Sequence, residues 1–121
     1  IAYTTIVTAD IEKSKTFYLA LLQDMGVTVF IDTGRLAALG SPSGGPMLAV
    51  CTPYNGEAPS PGNGNMVAIS PGSRELVDKL HAKALKLGGT DEGAPGQRMD
   101  GFYGGYFRDA DGNKICFCHF G

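Results

Sequence analysis

The chain has no cluster of lysine or arginine, no long apolar run and no even complement of cysteines. Ten basic residues against twelve acidic ones leave a net charge of −2, so no basic stripe is available to neutralise phosphates. Nucleic acid and anionic membrane surfaces are therefore excluded as expected partners. No apolar stretch approaches the roughly 20 residues needed to cross a bilayer, so no membrane partner is expected. No signal-peptide pattern opens the chain, although it starts at Ile1 rather than at a methionine, which leaves the true N-terminus open. Three cysteines cannot all pair with one another, and in a chain of this size they read as reduced thiols in the cytoplasm.

What is present points to short strands and tight turns. Eighteen glycines and seven prolines in 121 residues argue against a helical bundle, while the length suffices for one domain with its own core. Two segments carry helical periodicity. The first, about Ile11 to Met25, opens on Asp10 as N-cap, stops at Gly26 and lines up Phe17, Tyr18, Leu21, Leu22 and Met25. The second, about Arg74 to Leu87, opens on Ser73, stops at Gly88-Gly89 and lines up Leu76, Val77, Leu80, Ala84 and Leu87.

The two helices superimpose at an offset of 63 positions, with Phe17 on Leu80, Leu21 on Ala84, Leu22 on Leu85 and Gly26 on Gly89. A β-prone run precedes each, "YTTIV" at 3–7 and "NMVAI" at 65–69. Apolar, glycine-rich hairpin sequences follow: "VTVFI", "RLAAL" and "PMLAVC" in the first half, "FYGGYF" and "KICFC" in the second. Each half reads β-α-β-β-β, with module one at about 1–54, a linker at 55–64 and module two at 65–121. The expected fold is α+β: paired modules forming a curved mixed sheet, helices outside, around a cleft.

The closing stretch "GFYGGYFRDADGNKICFCHFG" (101–121) allows a register to be derived. Asp109 to Gly112 fit a type I turn, with Gly112 in the left-handed conformation that closes a three-residue hairpin loop. Asp109 then stands across from Asn113, Tyr106 across from Cys116, and Gly104 across from Cys118. Side chains alternate along a strand, so Tyr106, Cys116 and Cys118 share one face. Phe107, Ile115, Phe117 and His119 point the other way.

With the repeat established, "TADIEKSKTFYLALLQDMGV", "SRELVDKLHAKALKLGG" and "EGAPGQR…YFRDADGNK" together resemble the vicinal oxygen chelate superfamily. That superfamily includes lactoylglutathione lyase, extradiol dioxygenases, fosfomycin-resistance transferases and bleomycin-binding resistance proteins. The resemblance covers nearly the whole chain and implies paired βαβββ modules, commonly completed in a homodimer. It also implies, in the enzymes, a divalent metal held by His and Glu side chains from several strands. Position by position, the early-strand His falls on Tyr3, the His of the middle strand on Met66, and the Glu after the "DPDGN"-like turn on Cys116. A fourth ligand would come from "PMLAVC", which has no Asp, Glu or His. The ligand pattern is absent, so the family's metal-dependent activities do not carry over and no cofactor is expected.

Other residues are weighed against plainer roles. Cys116, Cys118 and His119 with Cys51 could supply four zinc ligands, but Cys118 and His119 alternate to opposite faces, and two buried thiols are the simpler reading. His81 lies mid-helix and is expected to be exposed. Tyr106 is either a ligand contact or a core tyrosine. The glycine-rich run "EGAPGQRMDGFYGG" (92–105) reads as a mobile loop, in which Arg98 could hold an anionic ligand group or be an ordinary surface arginine. Asp109 is expected to bond its own turn, and "GSPSGG" (40–45) is a hairpin turn rather than a phosphate loop. The resulting expectation is a small-molecule binder that takes an apolar or aromatic ligand through Tyr3, Met66, Arg98, Tyr106 and Cys116. The competing expectation is a lyase- or dioxygenase-type enzyme with unusual metal ligands or none.

Overall fold

The computed structural model describes residues 1–121. It comprises two compact units, Ile1–Pro61 and Gly62–Gly121, divided within the segment expected as a linker. Each unit holds one helix and one four-stranded mixed sheet, so the α+β expectation is met. No helix is long and apolar enough to cross a membrane.

Unit one runs β1 (Tyr3–Val7), α1 (Ile11–Leu21), β2 (Thr28–Asp32), β3 (Leu36–Gly40) and β4 (Met47–Cys51). Asp10 caps α1 by accepting a hydrogen bond from the Lys13 amide at 3.1 Å. The helix is shorter than its periodicity suggests. It leaves α geometry at Leu22, and a single 3-10 turn, Gln23–Met25, carries the chain to Gly26 in the left-handed conformation (φ 72°). Strand order is β1-β4-β3-β2, with β1 parallel to β4. Tyr18, Leu21 and Leu22 are buried with Ile6, Leu39, Leu48 and Val50, while Phe17 and Met25 are only half-buried. Lys15 bridges from α1 to Asp32 on β2 at 3.0 Å, which marks the helix-covered face.

Unit two runs β5 (Val67–Ile69), α2 (Arg74–Lys86), β6 (Thr90–Met99), β7 (Phe102–Arg108) and β8 (Lys114–Phe120), with sheet order β5-β8-β7-β6. Ser73 caps α2 through the Leu76 amide at 3.1 Å, and Leu87 with Gly88 (φ 112°) ends it. Val77, Leu80 and Ala84 pack under the helix with Phe107, Ile115 and Phe117, all buried; the rings of Phe107 and Phe117 stack at 5.8 Å. Each fully buried aromatic or aliphatic side chain of this kind stabilises a fold by about 1.5–3 kcal/mol.

Two expectations change here. The buried stripe of α2 is Val77, Leu80, His81 and Ala84, whereas Leu76 and Leu87 are exposed. His81, expected on the surface, is 4% exposed. Spacing explains it, because 77, 81 and 84 fall at i, i+4 and i+7, on the same face as Leu80. The run 92–105 is not a loop: it forms most of β6 and the start of β7. Being at the sheet edge, β6 tolerates Pro95 and absorbs its glycines as irregularities between Asp91 and Gly93, Gly93 and Gly96, and Gln97 and Met99.

Candidate functional site

The β7–β8 hairpin positions the site, and its turn sets the geometry. The Gly112 amide donates to the Asp109 carbonyl at 3.0 Å, Gly112 is left-handed (φ 87°), and the Asp109 amide donates to the Asn113 carbonyl at 3.0 Å. The Asp109 carboxylate is buried and accepts from the amides of Asp111 (3.0 Å) and Asn113 (2.9 Å) and from Nδ2 of Asn113 (3.0 Å). This turn sets Tyr106 opposite Cys116 and Gly104 opposite Cys118, the register that the turn chemistry predicts. His119 pairs with Tyr103, whose hydroxyl donates to Asp78 of α2, so it lies on the helix side, away from the thiols.

The helix-free face of unit two therefore carries Tyr106, Cys116 and Cys118 together. Cys116 is 0% and Cys118 3% exposed. Burial pushes the Cys116 thiol up to about 11, and the neighbouring Cys118 adds to the shift. A hydrogen bond with Tyr106 and the positive charge of Arg98 oppose it. The thiol is thus protonated at neutral pH and is not an activated nucleophile. Gly104 makes room above Cys118: a Cβ there would lie 3.0 Å from the Phe102 ring and 3.4 Å from the Tyr106 hydroxyl.

Arg98 reaches the same face from the edge strand. Its guanidinium carbon lies 5.3 Å from the centre of the Tyr106 ring, within cation–π range, and Nη2 donates to the Ala94 carbonyl. The glycines of β6 make this possible. A Cβ on Gly93 would come 3.2 Å from the Tyr106 ring and 3.3 Å from Nη2 of Arg98, and one on Gly96 3.4 Å from Nη1. Lys114, which sequence reasoning passed over, places its ammonium 5.4 Å from the same ring centre. Its only sequence signal is position: it stands two residues before Cys116, on the same face of β8.

Of the five expected ligand contacts, Arg98, Tyr106 and Cys116 come together. Met66 immediately precedes β5 and is 46% exposed; since Ala68 pairs with Cys116, alternation puts Met66 on that face as well. Tyr3 belongs to unit one, where it pairs with Met47 and is 53% exposed. The 63-position repeat relates Tyr3 to Met66 and Thr5 to Ala68. Thr5 pairs with Ala49 as Ala68 pairs with Cys116, so Ala49 in unit one stands where Cys116 stands in unit two. Cys51, on β4, lies in the other unit from Cys116 and Cys118. No three His, Cys, Asp or Glu side chains gather into a set able to hold a metal ion.

The family model described as the Glyoxalase/Bleomycin resistance protein/Dioxygenase superfamily matches residues 1–117. The chain belongs to that superfamily. A solved glyoxalase/bleomycin resistance protein from Albidiferax ferrireducens T118 is 35% identical, with a TM-score of 0.89 over 100% of this chain and 98% of that one. A glyoxalase/bleomycin resistance protein/dioxygenase family enzyme from Burkholderia phytofirmans PsJN shares the superfamily fold at 20% identity, with a TM-score of 0.78 over 97% and 95% of the two chains. A lactoylglutathione lyase from Agrobacterium tumefaciens does so at 20% identity and a TM-score of 0.72, over 98% and 91%. No curated protein sequence matches the chain.

Proposed function

We propose that this superfamily member works without a metal and binds a small apolar or aromatic molecule. Its contacts are Arg98, Tyr106 and Met66 on the helix-free face of unit two, with the Cys116 thiol buried on the same face. The observation carrying the proposal is the donor chemistry at the positions that the superfamily resemblance marks as metal ligands. Tyr3, Met66 and Cys116 offer a phenol, a thioether and a thiol, and Ala49 offers only a methyl group. A hard divalent ion prefers carboxylate and imidazole, and a thiol held at about 11 resists giving up the proton that ligation requires. This donor set does not fit such an ion.

The same chemistry disfavours covalent catalysis at Cys116, because a protonated, buried thiol attacks poorly and no histidine is bonded to it. What remains is a face with aromatic area, soft neutral sulfur and two cations, which suits recognition. The protein acts in this reading as a cytoplasmic homodimer, with its three cysteines free.

The experiment is elemental analysis of protein purified without a tag or chelator, with light scattering to give the oligomeric state. Substoichiometric zinc, nickel, manganese and iron is the expected result. Near-stoichiometric metal would overturn the reading in favour of an enzyme with unusual ligands.

A further inference from the structure

Two cations crowd a single ring on the helix-free face of unit two. Arg98 lies 5.3 Å and Lys114 5.4 Å from the centre of the Tyr106 ring. Like charges sharing one ring repel each other, and neither is neutralised by a carboxylate. The Arg98 guanidinium donates only to the Ala94 carbonyl, and the Lys114 ammonium has no acidic partner. Glu92, on the same strand as Arg98, is already held by Arg108 at 2.7 Å.

The surroundings favour an incoming anion. Cys116 and Cys118 share this face with the ring and are both buried, out of a ligand's direct reach. Cys116 keeps its proton at neutral pH, so it sets no negative charge against a ligand. Met66 and the Tyr106 ring supply apolar surface for a planar body. Arg98, on β6, presents a fork suited to a carboxylate, and Lys114, on β8, adds a compact second charge beside the same ring.

We infer that this face selects a planar aromatic carboxylate, its anionic group drawn by the charges of Arg98 and Lys114 and its ring set against apolar surface of Tyr106 and Met66. The inference rests on the small-molecule reading and adds the ligand's charge and shape to it.

The test compares 2-naphthoate with its neutral isostere 2-naphthamide by titration calorimetry, on the full chain and on Arg98→Gln and Lys114→Gln variants. Both side chains lie outside the core, and melting curves of the two variants are the check that they fold. Naphthoate should bind at least about tenfold more tightly than naphthamide at low salt, and the gap should narrow as added salt screens the two cations. Each variant should weaken naphthoate about tenfold and change naphthamide less than about twofold. Equal binding of acid and amide, unmoved by either variant, would overturn the inference while leaving a neutral-ligand site standing. Binding of neither molecule would count against both.

Discussion

Nε2 of His81 lies 3.0 Å from the carbonyl oxygen of Tyr106. The same nitrogen lies 3.1 Å from Oδ1 of Asp91. A carbonyl can only accept, so Nε2 carries the proton and shares it between β7 and β6. Helix α2 is thereby tied to the backbone of the residue whose side chain faces the opposite side of the sheet.

Replacing that imidazole should loosen the strand under the site. His81→Ala removes the donor and leaves the Tyr106 carbonyl unpaired beneath α2, with a cavity beside it. The expected loss of stability is about 2–3 kcal/mol by urea denaturation. A loss below about 0.5 kcal/mol would show that water replaces the imidazole without penalty.

Close packing around His81 makes a second prediction. A Cβ on Gly105 would lie 2.9 Å from Cγ and 3.3 Å from Cα of Pro95, and 3.2 Å from Cδ2 of His81. Backbone on the edge strand cannot retreat as a flexible side chain can. Gly105→Ala should therefore destabilise by about 1–3 kcal/mol, and Pro95→Ala in the same chain should recover part of that loss. Strict additivity of the two changes would mean that the close approach carries no strain.

Much of this architecture is legible in the residues themselves, for physical reasons that differ by element. The hairpin register follows from "DADGN", because a left-handed Gly112 and a self-bonding Asp109 leave little choice of loop length. Caps and apolar spacing place both helices to within a few residues. His81 is missed because histidine as a residue type suggests the surface, although its spacing from Val77 and Ala84 already puts it inside. Strand β6 is missed because Gly93, Pro95 and Gly96 resemble a loop. Their role is visible only once Arg98 and Tyr106 occupy the space those glycines vacate. Lys114 is missed because nothing local to it says that an edge-strand arginine shares its ring. Tyr3 and Met66 stand out through the family pattern alone, since neither makes a contact that its neighbours in sequence would announce.

Cys116 makes stability depend on alkaline pH. The unfolded thiol titrates near 9, and burial raises the folded one to about 11. Below 9 both states hold the proton and stability is unaffected. Between 9 and 11 the unfolded state releases its proton first, so stability falls as pH rises, by on the order of 1–2 kcal/mol. Cys116→Ala should flatten that part of the profile relative to the parent chain. Identical slopes above pH 9 would place the titration elsewhere. At neutral pH the half-buried Cys51 should react first with a thiol reagent, and Cys116 and Cys118 only as the chain unfolds.

Tyr106 separates a recognition role from a core role. Its ring is half-buried and flanked by Arg98 and Lys114. A core tyrosine truncated to alanine loses several kcal/mol of stability, commonly about 3–5 for a large aromatic. A ligand-contact tyrosine on an open face loses far less stability but takes the binding surface with it. Tyr106→Ala should therefore lower the unfolding free energy by no more than about 1.5 kcal/mol and remove measurable 2-naphthoate binding. Tyr106→Phe keeps the ring for stacking and for both cations, so affinity should stay within about threefold. The same variant removes the hydrogen bond that restrains the Cys116 thiol, so that thiol should titrate higher still, an ultraviolet-monitored shift toward more alkaline pH. Retained binding in Tyr106→Ala would take the residue out of the site and leave Arg98 and Lys114 without the surface that sets their spacing.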